Sequence, residues 1–294
     1  MAARRLSTLA ITIQLPSPSV VMSHCQPETL PGYHYVATAA GDSHALANEV
    51  PLAILLNGVS HAVMMVSPCQ LDEFITGFLV SEGIIKHPRE IHDLEFHRQG
   101  EALEADTLEA RVTLGNGAHY RWKEHRRSLA GRTGCGLCGI ESLAQALPQV
   151  PRLPAAPLPS VTALEKLYRQ LPDWQPLGQE CGSLHAAFFA DLDGQILHAC
   201  EDVGRHNALD KLIGTLLHQK SPSAPGMVLM TSRCSIELVQ KMGRASLPTL
   251  VTLGAPTGLA VRQAREAGLN LLHLPRKQSP RVYSTSESEP HHDD

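Results

Sequence analysis

MVLMTSRCSIELVQKMGRASLPTLVTLGAPTGLAVRQAREAGLNLLHL, residues 227–274, alternates short apolar runs with helical periods. The runs MVLM (227–230), TLVTL (249–253) and NLLHL (270–274) are strand-length and mostly apolar, as expected of strands buried on both faces. Between them, residues 235–245 and 257–267 carry apolar side chains at helical spacing. Strand–helix alternation of this kind predicts an α/β segment, a parallel or mixed sheet with helices on both faces. Ligands on such sheets sit at the carboxyl ends of the strands, which directs attention to the loops after Met230, Leu253 and Leu274.

Upstream, the pattern predicts a helix over residues 161–171 and a strand pair in HAAFFADLDGQIL (185–197) that turns at Asp193-Gly194. An amphipathic helix carrying Leu209, Leu212, Ile213 and Leu216 follows. Five prolines between Pro148 and Pro159 rule out a continuous helix or central strand there. Before them, PLAILL, Asn57-Gly58 and VSHAVMMV form a hairpin signal, because Asn-Gly supplies the positive φ angles of a tight turn. Leu71, Phe74, Ile75, Phe78 and Leu79 mark a helix, and further strands are expected at 110–114 and 118–122 around a Gly115-Asn116-Gly117 turn. The resulting division is a weakly ordered tail (1–40), a small α+β domain (41–130), a cysteine loop with a following helix (131–147), a Pro-rich linker (148–160), an α/β domain (161–284) and a disordered acidic tail (285–294).

The 294 residues, 43% of them hydrophobic, suffice for two cores, and a net charge of −4 provides no broad basic field for nucleic acid. No apolar run reaches the roughly 18 residues of a membrane span. Arg4 and Arg5 precede LSTLAITIQL, but Pro16 and Pro18 interrupt a signal-like stretch, and Met22 offers a second start. The seven cysteines are an odd number, which argues for reduced cytosolic thiols over a disulfide scaffold. Cys69, Cys181, Cys200 and Cys234 read as small buried hydrophobes, and Cys25 falls in the tail.

Cys135 and Cys138 differ, because RTGCGLCG (132–139) sets them among glycines. A helix over 140–147 and the upstream Lys123, Arg126, Arg127 and Arg132 favour a thiolate there, as a sulfur nucleophile requires. Four readings are open at this point: half of a zinc site, a thioredoxin-type dithiol, a structural loop, or a cysteine that carries sulfur as a persulfide beside a resolving neighbour. Three loops add positive charge at the expected ligand edge: 202–207 with Arg205 and His206, 231–233 with Arg233, and 274–279 with Arg276 and Lys277. Each also has a structural reading. Arg205 could pair with Glu201 or Asp202, Arg233 with Glu237, and 276–277 could be a solvated turn, while His206 could serve only as a hydrogen-bonding group.

GRTGCGLCG (131–139), EVPLAILLNGVSHAVMMVSP (49–68), FITGFLVSEGII (74–85), EDVGRHNALDKLIG (201–214), TSRCSIELVQKM (231–242) and the stretch 255–284 together resemble the FdhD family of formate dehydrogenase accessory sulfurtransferases, over about residues 47–285. The resemblance implies a sulfur relay. A cysteine desulfurase passes a persulfide to Cys135, with Cys138 assisting, and the sulfur goes on to a molybdenum or tungsten bis(molybdopterin guanine dinucleotide) cofactor destined for formate dehydrogenase. It further implies a cytoplasmic homodimer with no resident metal, and nucleotide contacts at Leu274, Pro275, Arg276, Lys277, Gln278 and Ser279. The family often has an aromatic where Leu274 stands and a glycine where Gln278 stands. The fold it implies is a cytidine-deaminase-like three-layer C-terminal domain beside a smaller α+β N-terminal domain. Deaminase chemistry itself is not expected. A zinc deaminase needs H-x-E and P-C-x-x-C, whereas His185 is followed by Ala186-Ala187 and Cys234 has no second cysteine three residues on.

Overall fold

A computed structural model describes residues 32–99, 107–130, 150–219 and 225–286. The first elements are a small hairpin, β1 (Tyr33–Ala37) and β2 (Ser43–Ala47), then β3 (Val50–Leu56) and β4 (Val59–Val66), helix α1 (Leu71–Ser81), strands β5 (Ile91–Gln99) and β6 (Thr107–Leu114), and helix α2 (Asn116–Ala130). β1 falls inside the stretch read as a tail. The β3–β4 hairpin forms as expected, with φ of 49° at Asn57 and 77° at Gly58. Asn57 also accepts the Leu114 amide at 2.8 Å, which ties the turn to the end of β6. Strands β3 to β6 make a sheet in the order β4-β3-β6-β5, with β3 and β6 parallel at its centre and α1 in the connection from β4 to β5, the outer strands.

The strand expected at 118–122 is instead the first turn and a half of α2. Ala118 and Trp122, four residues apart, are both buried, and the Trp122 indole donates to His61 Nδ1 at 3.2 Å. Gly115 marks the end of β6 and is not a hairpin apex: its amide donates to Glu90 O, and a Cβ there would lie 2.8 Å from the His92 ring.

The second half contains α3 (Val161–Gln170), α4 (Pro176–Cys181), β7 (His185–Asp191), β8 (Ile196–Asp202), α5 (Arg205–Leu217), β9 (Gly226–Met230), α6 (Ile236–Arg244), β10 (Thr249–Thr252), α7 (Gly258–Ala267), β11 (Asn270–His273) and β12 (Arg281–Ser284). Every element predicted between 161 and 274 is present. The sheet is mixed, in the order β12-β11-β10-β9-β7-β8. β9, β10 and β11 are parallel, and β7 is antiparallel to both β9 and β8, so β8 runs with the parallel set. The α3 residues Leu164 and Leu167 cover one face, with Phe188, Leu229 and Val251 beneath them. Residues of α5, α6 and α7 cover the other.

The second face and the N-terminal sheet share one core. α1 and α5 touch backbone to backbone: a Cβ on Gly77 would lie 1.8 Å from Asp210 O, and one on Gly214 1.9 Å from Glu73 O. Buried polar bonds reinforce the contact. Lys211, fully buried, pairs with Asp202 at 2.7 Å and donates to Ser67 O at 3.1 Å. Lys241 pairs with Asp210 at 2.9 Å, and Ser81 donates to the same carboxylate at 2.7 Å. The end of the Pro-rich stretch packs onto this body, with the Leu153 amide bonded to Ala267 O at 2.8 Å. Among the described residues no helix is long and apolar enough to cross a membrane.

Candidate functional site

Because β8 to β11 run the same way, the loops at 202–207, 231–233 and 274–279 all lie at one edge of the sheet. A cleft of about 630 Å³ opens there, lined by His185, Thr231, Leu253, Gly254 and Arg276 on the strand side and by Tyr168 and the α4 region on the other. Thr231 is fixed by the β7 backbone: its hydroxyl accepts the Ala186 amide at 2.9 Å, and its amide donates to Ala186 O at 3.0 Å. Gly254 lets two loops cross, since a Cβ on it would lie 2.7 Å from the Arg233 nitrogen.

Glu201 holds the opposite wall. Its carboxylate accepts the Leu177 and Gly178 amides at 3.0 and 2.7 Å, an anion capping the start of α4. Burial pushes the Glu201 carboxyl up, opposed by those two amides and by Lys211. Next along β8, Asp202 accepts the Gly204 amide at 2.8 Å, the Asn207 side chain at 2.9 Å and the Ser67 amide at 3.1 Å. These bonds shape the turn into α5.

Both carboxylates are therefore committed elsewhere, and Arg205 pairs with neither. Its Nε is buried without a partner among the described residues. Burial, and then the Arg205 charge, hold His185 below the usual imidazole range. His206 is pushed down to about 4 by burial, Arg205 and Lys241. It lines a separate hollow of about 370 Å³ with Met64, Phe78 and Glu237, not the cleft of Arg276. Arg233 is exposed and forms no ion pair with Glu237 among the described residues.

A second cleft, of about 570 Å³, is lined by all six positions Leu274, Pro275, Arg276, Lys277, Gln278 and Ser279, together with residues of α3. Leu274 is largely buried in the core, whereas Arg276 and Lys277 are exposed. Tyr168, Gly254 and the α4 wall escaped the sequence reading. The one signal was an aromatic at the partly exposed edge of an otherwise regular amphipathic helix.

Cys135, Cys138, Arg132 and the helix expected at 140–147 lie outside the described residues, as does Cys25. Of the other cysteines, Cys200 and Cys234 are buried as expected, and burial pushes both thiols up to about 12. Cys69 and Cys181 are only half-buried, a departure from the reading of both as core residues. Cys69 lies beside the buried lysine, with Lys211 Nζ 3.6 Å from its sulfur. Among the described residues no three His, Cys, Asp or Glu side chains converge as metal ligands.

Comparison with known proteins gives a consistent picture. The FdhD/NarQ family model matches residues 47–289. A sulfur carrier protein FdhD from Burkholderia mallei is 44% identical over 248 residues, covering 82% of this chain and 89% of the relative. One from Bordetella parapertussis is 41% identical over 250 residues, covering 85% and 88%. A crystal structure of a protein with a proposed formate dehydrogenase accessory role, from Desulfotalea psychrophila, superposes with a TM-score of 0.62 at 24% identity, over 88% of this chain and 98% of its own.

Proposed function

This chain belongs to the FdhD/NarQ family, and we propose that it is a cytoplasmic sulfur carrier serving formate dehydrogenase. The Cys135 thiolate attacks the terminal sulfur of a persulfide on a cysteine desulfurase. The donor cysteine leaves as a thiolate, and Cys135 becomes the persulfide. In the second step the Cys138 thiolate attacks the Cys135 sulfur, closing a Cys135–Cys138 disulfide and releasing hydrosulfide toward the metal of a molybdenum or tungsten bis(molybdopterin guanine dinucleotide) cofactor. That cofactor is substrate and cargo, with no metal resident in the chain. The partners in this reading are the desulfurase, formate dehydrogenase and a second copy of the chain. The deaminase-like layering belongs to the same proposal, as a scaffold without deaminase chemistry.

One observation carries the nucleotide part of the reading: residues 274–279, including Arg276 and Lys277, which form no ion pair among the described residues, line a cleft at the carboxyl edge of the sheet. An anionic dinucleotide requires cations and free backbone amides at such an edge. Arg205 and Arg233 belong to the same edge and add positive potential. His206, which faces another hollow, is assigned no contact with the nucleotide.

The test is intact mass after incubation with a desulfurase and cysteine, for the wild type and Cys135→Ala. A gain of one sulfur atom that depends on Cys135 is expected, and no gain in either protein overturns the relay. Retained GDP binding in that event would leave a cofactor-holding chaperone, and metal analysis of the same sample tests the zinc reading.

A further inference from the structure

The two clefts at the carboxyl edge, about 630 and 570 Å³, have two lining residues in common, Tyr168 and Arg276. Tyr168 projects from α3 at the rim of the core, where Leu164, Leu167 and Leu171 are buried and the tyrosine is only partly so. Its hydroxyl makes no hydrogen bond among the described residues, and Arg276 is exposed and without an ion pair among them. The ridge between the hollows therefore carries an aromatic face held by core packing and a guanidinium free to turn. Those two groups suit a heterocycle joined to a phosphate: the ring stacks on the base and the guanidinium forks onto phosphate oxygens. Each hollow falls within the roughly 300–1,000 Å³ of a complete small-molecule site.

We infer that Tyr168 is a ligand-positioning residue of a single two-lobed site, which takes a dinucleotide with one half in each hollow and its pyrophosphate crossing at Arg276. This rests on the nucleotide reading proposed above and adds to it which side chain divides the site and why a mononucleotide fills only half. The base stacks on Tyr168 on the side of Leu274 and Pro275. Beyond Arg276 the ligand continues toward Thr231, Gly254 and His185.

The experiment is calorimetric titration of the full chain with GDP and with P1,P2-di(guanosine-5′) diphosphate, using the wild type, Tyr168→Phe and Tyr168→Ala. The dinucleotide is expected to bind the wild type at least tenfold more tightly than GDP. Tyr168→Phe keeps both affinities, because the ring is retained. Tyr168→Ala weakens the dinucleotide about tenfold, in line with the loss of one stacked base. The upfield shift of a guanine H8 proton on binding provides a readout that a purely structural role would not move: it is expected with Tyr168 or Phe and lost with Ala. Equal dinucleotide affinity in wild type and Tyr168→Ala overturns the role of the ring. Equal affinity of the two probes for the wild type overturns the two-lobed site. Failure of the wild type to bind either probe removes the nucleotide reading itself, a result distinct from both.

Discussion

Replacing Asp202 by Asn tests how the two halves of the chain are held together. Asp202 and Lys211 are both fully buried and 2.7 Å apart. The remaining Lys211 partners are neutral or sulfur: Ser67 O at 3.1 Å, Glu201 O at 3.2 Å and Cys69 Sγ at 3.6 Å. The lysine thus has one carboxylate to neutralise it and no access to water. Asn preserves the shape and one oxygen acceptor for Gly204 and Asn207, but it removes the charge and turns an NH2 donor toward Lys211 and the Ser67 amide. Breaking one side of such a buried pair costs about 3–5 kcal/mol, against a total of roughly 5–15 kcal/mol for a folded protein. The expected loss in melting temperature is about 10 °C for a body of this size. Urea unfolding of wild type, Asp202→Asn, Lys211→Met and the double variant measures the coupling. Both single variants should be strongly destabilised, and the double variant should lose much less than their sum, since it leaves no orphan charge. A loss under about 1 kcal/mol in Asp202→Asn, or strict additivity in the cycle, would refute the claim that this pair sustains the contact between the two halves.

The α1–α5 contact predicts that Gly77→Ala and Gly214→Ala each destabilise the fold by about 1–3 kcal/mol or more, because the added methyl meets backbone and cannot be relieved by a rotamer; an unchanged denaturation midpoint for either would sink this. His206 makes stability depend on pH. In the unfolded chain its ring charges below about 6.5, whereas in the fold it stays neutral down to about 4. The unfolded state therefore binds more protons in that window, so the contribution of this group is fully present above pH 6.5 and is lost as pH falls toward 4. For a half-buried ring the effect is of order 1–2 kcal/mol after solvent screening. Urea midpoints of the wild type should fall more steeply than those of His206→Asn between pH 7 and pH 5, and parallel curves would contradict the assignment.

Elements whose patterning is local were legible in the sequence. The Asn57-Gly58 hairpin and the strands and helices from 161 to 274 carry their own turn residues and periodicity, and the structure contains each of them. α2 was not legible, because Gly115-Asn116-Gly117 looks like a turn and the following residues alternate. The burial of Trp122 against His61, 61 positions away, decides that segment, and no window of sequence contains both. β1, β2 and β12 are short and mostly exposed, so they have little apolar pattern to read. The site divides in the same way. Residues 274–279 were recognisable as a run and line one cleft together. Arg205 and His206 were grouped because they are adjacent, but consecutive helical residues point about 100° apart, and His206 accordingly faces the hollow between α1, α5 and α6.

Adjacency has the opposite consequence on a strand. Glu201 and Asp202 end β8, and successive strand residues face opposite sides of a sheet. Glu201 lies on the face of Ala199, where it holds the amides of α4 and with them one wall of the cleft. Asp202 lies on the face of Cys200, where it binds Lys211 and the Ser67 amide of the N-terminal half. Two consecutive carboxylates therefore clamp the two layers on either side of the sheet. The shape of the cleft and the docking of the N-terminal half therefore share this strand end. Arg205 follows three residues after Asp202, and its Nε has no hydrogen-bond partner among the described residues. Together with burial, its positive charge holds both the His185 and His206 rings below the usual imidazole range.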